Sequence, residues 1–235
     1  MLFLRKIGLV LMCLGMVVEI FSQNVSDLPA NSFPFNFTGQ TVMAFDNRYE
    51  GVKGTYLFFE TFSPGSIELK GRKYENVLIN YDAYHDHVLA KSEKVEGWVQ
   101  LRKDMIGGFT LKNETGEEFQ FEKKKLKGSI VFMLRIVRDS ISWYCKVSKT
   151  IKKADVGGAY NIAENRFDQF VTINTYYVDK GDNQLMPVPG NKKGILRVFP
   201  EYEKQLTEYL RHNKVDFDDY DQIRSLSGYI NSLNE

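Results

Sequence analysis

From Thr41 to Val178 the chain repeats one pattern: a short apolar or aromatic run, then a cluster of Gly, Pro, Asn, Asp or Ser. That repeat constrains the fold more than any other feature. Residues 66–70 alternate apolar and polar, as a half-buried strand does. Residues 56–59, 77–81, 88–90, 98–101, 109–111, 119–121, 130–137, 141–147 and 170–178 read as further strands. Phe62, Ser63, Pro64 and Gly65 carry turn chemistry, and Asn113, Glu114, Thr115 and Gly116 suit a hairpin loop. Parallel pairs need crossovers of a dozen or more residues, and no crossover helix is legible between these runs. The expected architecture is mainly β (α+β): an antiparallel meander forming a sandwich or an open barrel over residues 41–185.

After Pro187 and Pro189 the period changes. Ile195, Leu196, Val198 and Phe199 fit a short helix, and Pro200 restarts the chain at a first-turn position. Tyr202, Leu206, Tyr209 and Leu210 follow at helical spacing until His212 and Asn213. Asp218 suits an N-cap before the stripe of Ile223, Leu226, Ile230 and Leu233. Helices this short are unstable alone, so residues 191–235 are expected as a C-terminal pair of short helices packed on the sheet.

The N-terminus reads as an address. Arg5 and Lys6 precede an apolar run over residues 7–18, about 12 residues against the roughly 20 of a membrane-spanning helix. The expectation is a signal peptide over residues 1–22, cut after Ser22, then an extended segment over residues 23–40. The protein would then be periplasmic, outer-membrane-associated or secreted, with no transmembrane span in the mature chain. Cleavage removes Cys13 and leaves Cys145 as the sole thiol, expected on a buried strand.

Composition excludes several classes. A chain that is 43% hydrophobic and 14% aromatic is not disordered, and two cysteines build neither a disulfide scaffold nor a four-thiolate zinc site. A formal net charge of +1 gives no global field for nucleic acid. Two constellations carry chemistry. His85 and His87 would share one face of a strand, so with Asp82 they could hold Zn²⁺ or Cu²⁺. Lys123, Lys124, Lys125 and Lys127, with the lysines of residues 146–153, could form a basic stripe for a polyanion such as a lipopolysaccharide phosphate or an acidic glycan. Asp216 to Asp221 lacks the Gly and Glu of a calcium loop. No Gly-x-Ser-x-Gly or His-Glu-x-x-His is present, and Gly157-Gly158 lacks phosphate-loop spacing, so no cofactor is expected.

Two stretches stand out together. One is Glu68-Leu69-Lys70-Gly71-Arg72-Lys73-Tyr74-Glu75-Asn76-Val77-Leu78-Ile79-Asn80-Tyr81-Asp82. The other runs from Asn191-Lys192-Lys193-Gly194-Ile195-Leu196 through Phe199-Pro200 to Tyr229-Ile230-Asn231-Ser232-Leu233. They resemble a group of signal-peptide-bearing proteins of Bacteroidota to which no function is assigned. The resemblance implies a cell-envelope or secreted location and brings no catalytic residues. The resulting expectation is an exported, non-enzymatic binding or interaction domain of the bacterial cell envelope. Its partner would be an envelope protein or glycan, not nucleic acid. Two alternatives stay open: a hydrolase with scattered carboxylates, and a metal-binding protein using His85 and His87.

Overall fold

The computed structural model describes residues 41–43, 49–91, 97–154 and 167–234; the expected leader (residues 1–22) and the expected extended segment (residues 23–40) lie outside them. Among the described residues, eleven strands form one antiparallel sheet. They are β1 (Thr41–Met43), β2 (Ser63–Leu69), β3 (Arg72–Asp82), β4 (His87–Lys91), β5 (Trp98–Leu101), β6 (Ile106–Lys112), β7 (Glu118–Leu126), β8 (Ser129–Val137), β9 (Ser142–Lys152), β10 (Gln169–Asp179) and β11 (Met186–Val188). Their order is β1-β5-β4-β3-β2-β6-β7-β8-β9-β10-β11. The mainly β, antiparallel expectation is therefore met.

The connection from β5 to β6 shows that this sheet cannot be flat. Three strands separate the two, so a flat sheet would hold them roughly 19 Å apart. The link includes a tight 3₁₀ turn, Lys103–Met105, which rises only about 2 Å per residue. So short a link closes only if the sheet rolls until β5 lies near β6. Rolling makes one face concave, and the period of two sends alternate residues into it. Phe132, Leu134 and Ile136 of β8, Trp143, Cys145 and Val147 of β9, and Tyr176 and Val178 of β10 enter the main core. Met133, Tyr144 and Tyr177 stand on the other face as a small separate cluster. Phe109 and Phe121 stack 4.6 Å apart at the centre, with Tyr81 5.0 Å from Phe121.

The corner after β3 locks the roll. Asp86, at φ 61°, carries a partly buried carboxylate that links this corner to β8 and to the β5–β6 turn. One oxygen accepts from the Tyr81 hydroxyl (2.8 Å) and from the Phe132 N–H of β8 (3.2 Å). The other meets the Lys103 ammonium at 2.5 Å. Beside it the Lys149 N–H of β9 donates to the Ala83 carbonyl at 3.0 Å. Burial, and next the Asp86 carboxylate, push the Tyr81 phenol well above its ordinary pKa.

Two local expectations change. Residues 56–59 do not form a strand; Leu57 makes a single bridge to Asp82. Two backbone bonds, Phe58 N–H to the Tyr81 carbonyl (2.7 Å) and Ala83 N–H to the Tyr56 carbonyl (3.1 Å), are supplemented by the buried Asn80 amide, which donates to the Phe59 and Thr61 carbonyls at 2.9 Å. Ser63, Pro64 and Gly65, expected as a turn, open β2, because Pro and Gly are tolerated at a strand start and at a bulge.

Three helices, not a pair, follow the sheet: α1 (Lys192–Val198), α2 (Glu203–His212) and α3 (Tyr220–Ser232). Asn191 caps α1 through the Gly194 N–H. Asp219, one residue beyond the expected Asp218, caps α3 by accepting from the N–H groups of Asp221 and Gln222. Ile195, Val198, Phe199, Leu206, Ile223, Leu226 and Ile230 join the same core as the strands, so these helices fill the concavity rather than hang from it. Phe199 stacks on Trp143 at 5.9 Å. Asn231 fixes the end of α3 by accepting from the Ile141 N–H (2.8 Å) and donating to its carbonyl (3.0 Å).

Replacing Asp86 with Ala leaves a half-buried ammonium, a phenol and a backbone N–H without their acceptor. The expected loss is about 3 kcal/mol of stability in urea unfolding, with a smaller loss for Asp86→Asn. A loss under about 1 kcal/mol for Asp86→Ala would remove the corner's structural role. Cys145 is fully buried, and burial pushes its thiol up, so it should resist a thiol reagent in native buffer and react stoichiometrically in denaturant.

Candidate functional site

The structure gathers Asp82, His85 and His87 at the β3–β4 corner, but in a turn and not along one strand. Asp82 is buried and fully engaged: its carboxylate accepts from the Tyr84 N–H (3.0 Å), the His85 N–H (2.9 Å) and His85 Nδ1 (2.8 Å). The other His85 nitrogen, Nε2, lies 3.1 Å from the Tyr49 hydroxyl. The His85 and His87 rings are nearly parallel, with centroids 6.1 Å apart. Both His85 nitrogens are thus already occupied, and Asp82 serves as the turn's organiser. Among the described residues no group of three or more His, Cys, Asp or Glu is placed to hold a metal ion.

The lysine run is divided by its own strand. Lys124 stands with the outer cluster, its ammonium 4.0 Å over the Tyr144 ring and 2.8 Å from that residue's hydroxyl. Lys123 donates to the Asp104 carbonyl at 3.4 Å and lines a groove on the solvent side of the sheet. Lys125 is exposed, and Lys127 sits in the β7–β8 turn. There Lys127 and Gly128 both have positive φ (49° and 86°), the pairing of a tight type I′ hairpin. Four consecutive-looking lysines therefore do not converge on one ligand.

What does converge is a groove of about 540 Å³ on the solvent side of β3, β2, β6, β7 and β8. Its lining residues alternate with core residues: Ser66 and Glu68 flank Ile67, Thr110 follows Phe109, and Gln120 and Glu122 flank Phe121. Register aligns them across the sheet. Ser66 lies opposite Thr110, Thr110 opposite Gln120, and Gln120 accepts from the Arg135 guanidinium. Gly108 lies opposite Glu122 and leaves the floor open; a Cβ there would come within 2.9 Å of the Phe121 carbonyl.

The charges in the groove are uneven. Glu122 Oε1 accepts from Arg135 (2.7 Å) and from Arg138 (2.9 Å), while Oε2 lies 3.5 Å from Lys124. Three cations thus share one carboxylate. Glu68, on the far wall, faces Lys73 across the ladder, but the Lys73 ammonium pairs with Glu75 at 2.6 Å. Sequence reading missed Arg135, on β8, and Arg138, just after it, because they lie 13 and 16 residues from Glu122. The available signal was the polar residue Arg135 inside an otherwise apolar strand (burial alternates around it), which marks the solvent face of β8.

No family model, curated protein or solved structure matches the chain.

The corner predicts a pH response. Burial lowers the His87 pKa from its ordinary value, against a smaller upward pull from Asp82. The unfolded chain therefore binds this proton more readily, so the contribution is intact above the unfolded pKa of about 6.5 and is lost as pH falls toward the folded value. The melting temperature should drop between pH 7 and pH 5, and His87→Gln should make that drop shallower. An identical pH profile in the variant would exclude His87 as its source.

Proposed function

We propose that this chain is an exported, non-enzymatic binding domain of the bacterial cell envelope, and that the outer-face groove is its recognition surface. The observation that carries the reading is the groove itself. It is polar, open, built on rigid paired strands, and of a volume in the roughly 300–1,000 Å³ range of ligand sites. Strand positions hold their side chains to the spacing of the sheet, which suits recognition of an extended ligand.

The chemistry favours holding over turnover. Within the groove the carboxylate of Glu122 is tied to three cations, which makes it an anchor for the guanidinium groups. No helix among the described residues is long and apolar enough to cross a membrane. The short basic-then-apolar run of residues 5–18 supports export of the rest of the chain.

Two measurements test this. Cell fractionation should recover a chain beginning at Gln23 outside the cytosol; full-length protein in the cytosol would overturn the export reading. Purified mature protein should co-sediment with bacterial envelope fragments, and Thr110→Trp, which fills the groove from its solvent side, should weaken this at least about tenfold. Equal sedimentation of the folded variant would show that the groove is not the recognition surface.

A further inference from the structure

The groove's polarity narrows what it recognises, given the reading of it as the recognition surface. At the β7–β8 end, Arg135, Arg138 and Lys124 form their ion pairs, among the described residues, with the single carboxylate of Glu122, an excess of two positive charges in that cluster. A guanidinium carries five N–H donors in a planar fork. Arg135 uses its fork on Glu122 and Gln120, and the largely exposed Arg138 makes one bond to Glu122. Donors therefore remain for an incoming anion, and the planar fork matches a carboxylate. Approach of such a group relieves the repulsion among the three cations.

The opposite wall asks for different chemistry. Glu68, Ser66 and Thr110 present a carboxylate and two hydroxyls above the open backbone of Gly107 and Gly108. A carboxylate there repels a ligand with dense negative charge, such as a polyphosphate, and accepts from hydroxyl donors. Across the five strands the groove extends about 19 Å, room for several units of an extended chain. An incoming peptide strand finds no ladder to join, because β2, β6 and β7 each have a partner on both sides. From this polarity we infer that the ligand is a polysaccharide bearing carboxylates. One carboxylate would seat on Arg135 and Arg138, and neighbouring sugar hydroxyls would donate to Glu68.

Titration calorimetry with oligogalacturonate, a neutral oligosaccharide of equal length and oligoglutamate tests the inference on the mature protein. Oligogalacturonate should bind, more weakly as salt rises, with the neutral sugar at least about tenfold weaker. Arg138→Gln should weaken binding about tenfold, and Arg135→Gln/Arg138→Gln further. Lys125→Gln/Lys127→Gln, outside the groove, should leave the affinity within about twofold. Because Arg138 is largely exposed, its single variant keeps the test valid even if the double variant folds poorly. Equal binding of the neutral sugar, tighter binding of oligoglutamate, or loss through the Lys125/Lys127 pair and not Arg138 would each overturn it. Absence of binding to oligogalacturonate, while Thr110→Trp still blocks envelope binding, would overturn the carboxylate assignment and leave the groove reading standing.

Discussion

The fold depends on one partly buried carboxylate that ties distant parts of a rolled sheet together. Asp86 accepts from Tyr81 on its own side and from Phe132 on β8, and it neutralises Lys103 from the turn that joins β5 to β6. A rolled sheet must bring elements distant in sequence together, and each buried polar group along the seam needs a partner. Asp82 meets the same requirement one turn away by taking up two backbone N–H groups and an imidazole. The residues that look most like a metal site are thus those that shape the corner.

Rolling also sets the character of the two faces. The concave side gathers the aromatic stack of Phe109, Phe121 and Tyr81, and it needs the apolar stripes of α1, α2 and α3 to close it. The helices therefore belong to the core and should unfold with the sheet. The convex side needs no cover, and the polar halves of β2, β6, β7 and β8 remain open there as a groove. Glycine at Gly108 keeps its floor at backbone height, where a ligand can approach closely.

Much of this architecture can be read directly from residues. The alternation in residues 66–70 and 141–147, the hairpin residue Asn113 and the apolar stripe of Ile223, Leu226 and Ile230 each state a local rule that the fold obeys. In the β6–β7 loop the Asn113 side-chain Oδ1 accepts from the Thr115 and Glu117 N–H groups, as its turn chemistry suggests. Failures occur where a tertiary contact replaces a local one. Residues 56–59 have strand composition, yet Asn80 and the rings of Phe119 and Phe121 hold them without a ladder.

The candidate site was legible only in part. Lys123 to Lys127 announce positive charge, but a period of two sends neighbours to opposite faces, so a run in sequence is not a patch in space. Arg135 and Arg138 carry no such announcement and meet Glu122 only because β7 and β8 pair in one register. By itself the sequence determined the antiparallel strand class, the Asn113 hairpin loop, the helical C-terminal stretch and which residues are apolar, since these follow from local sterics and periodicity. The tertiary structure decided the roll, the corner and the groove, because each depends on contacts between strands that no local pattern encodes.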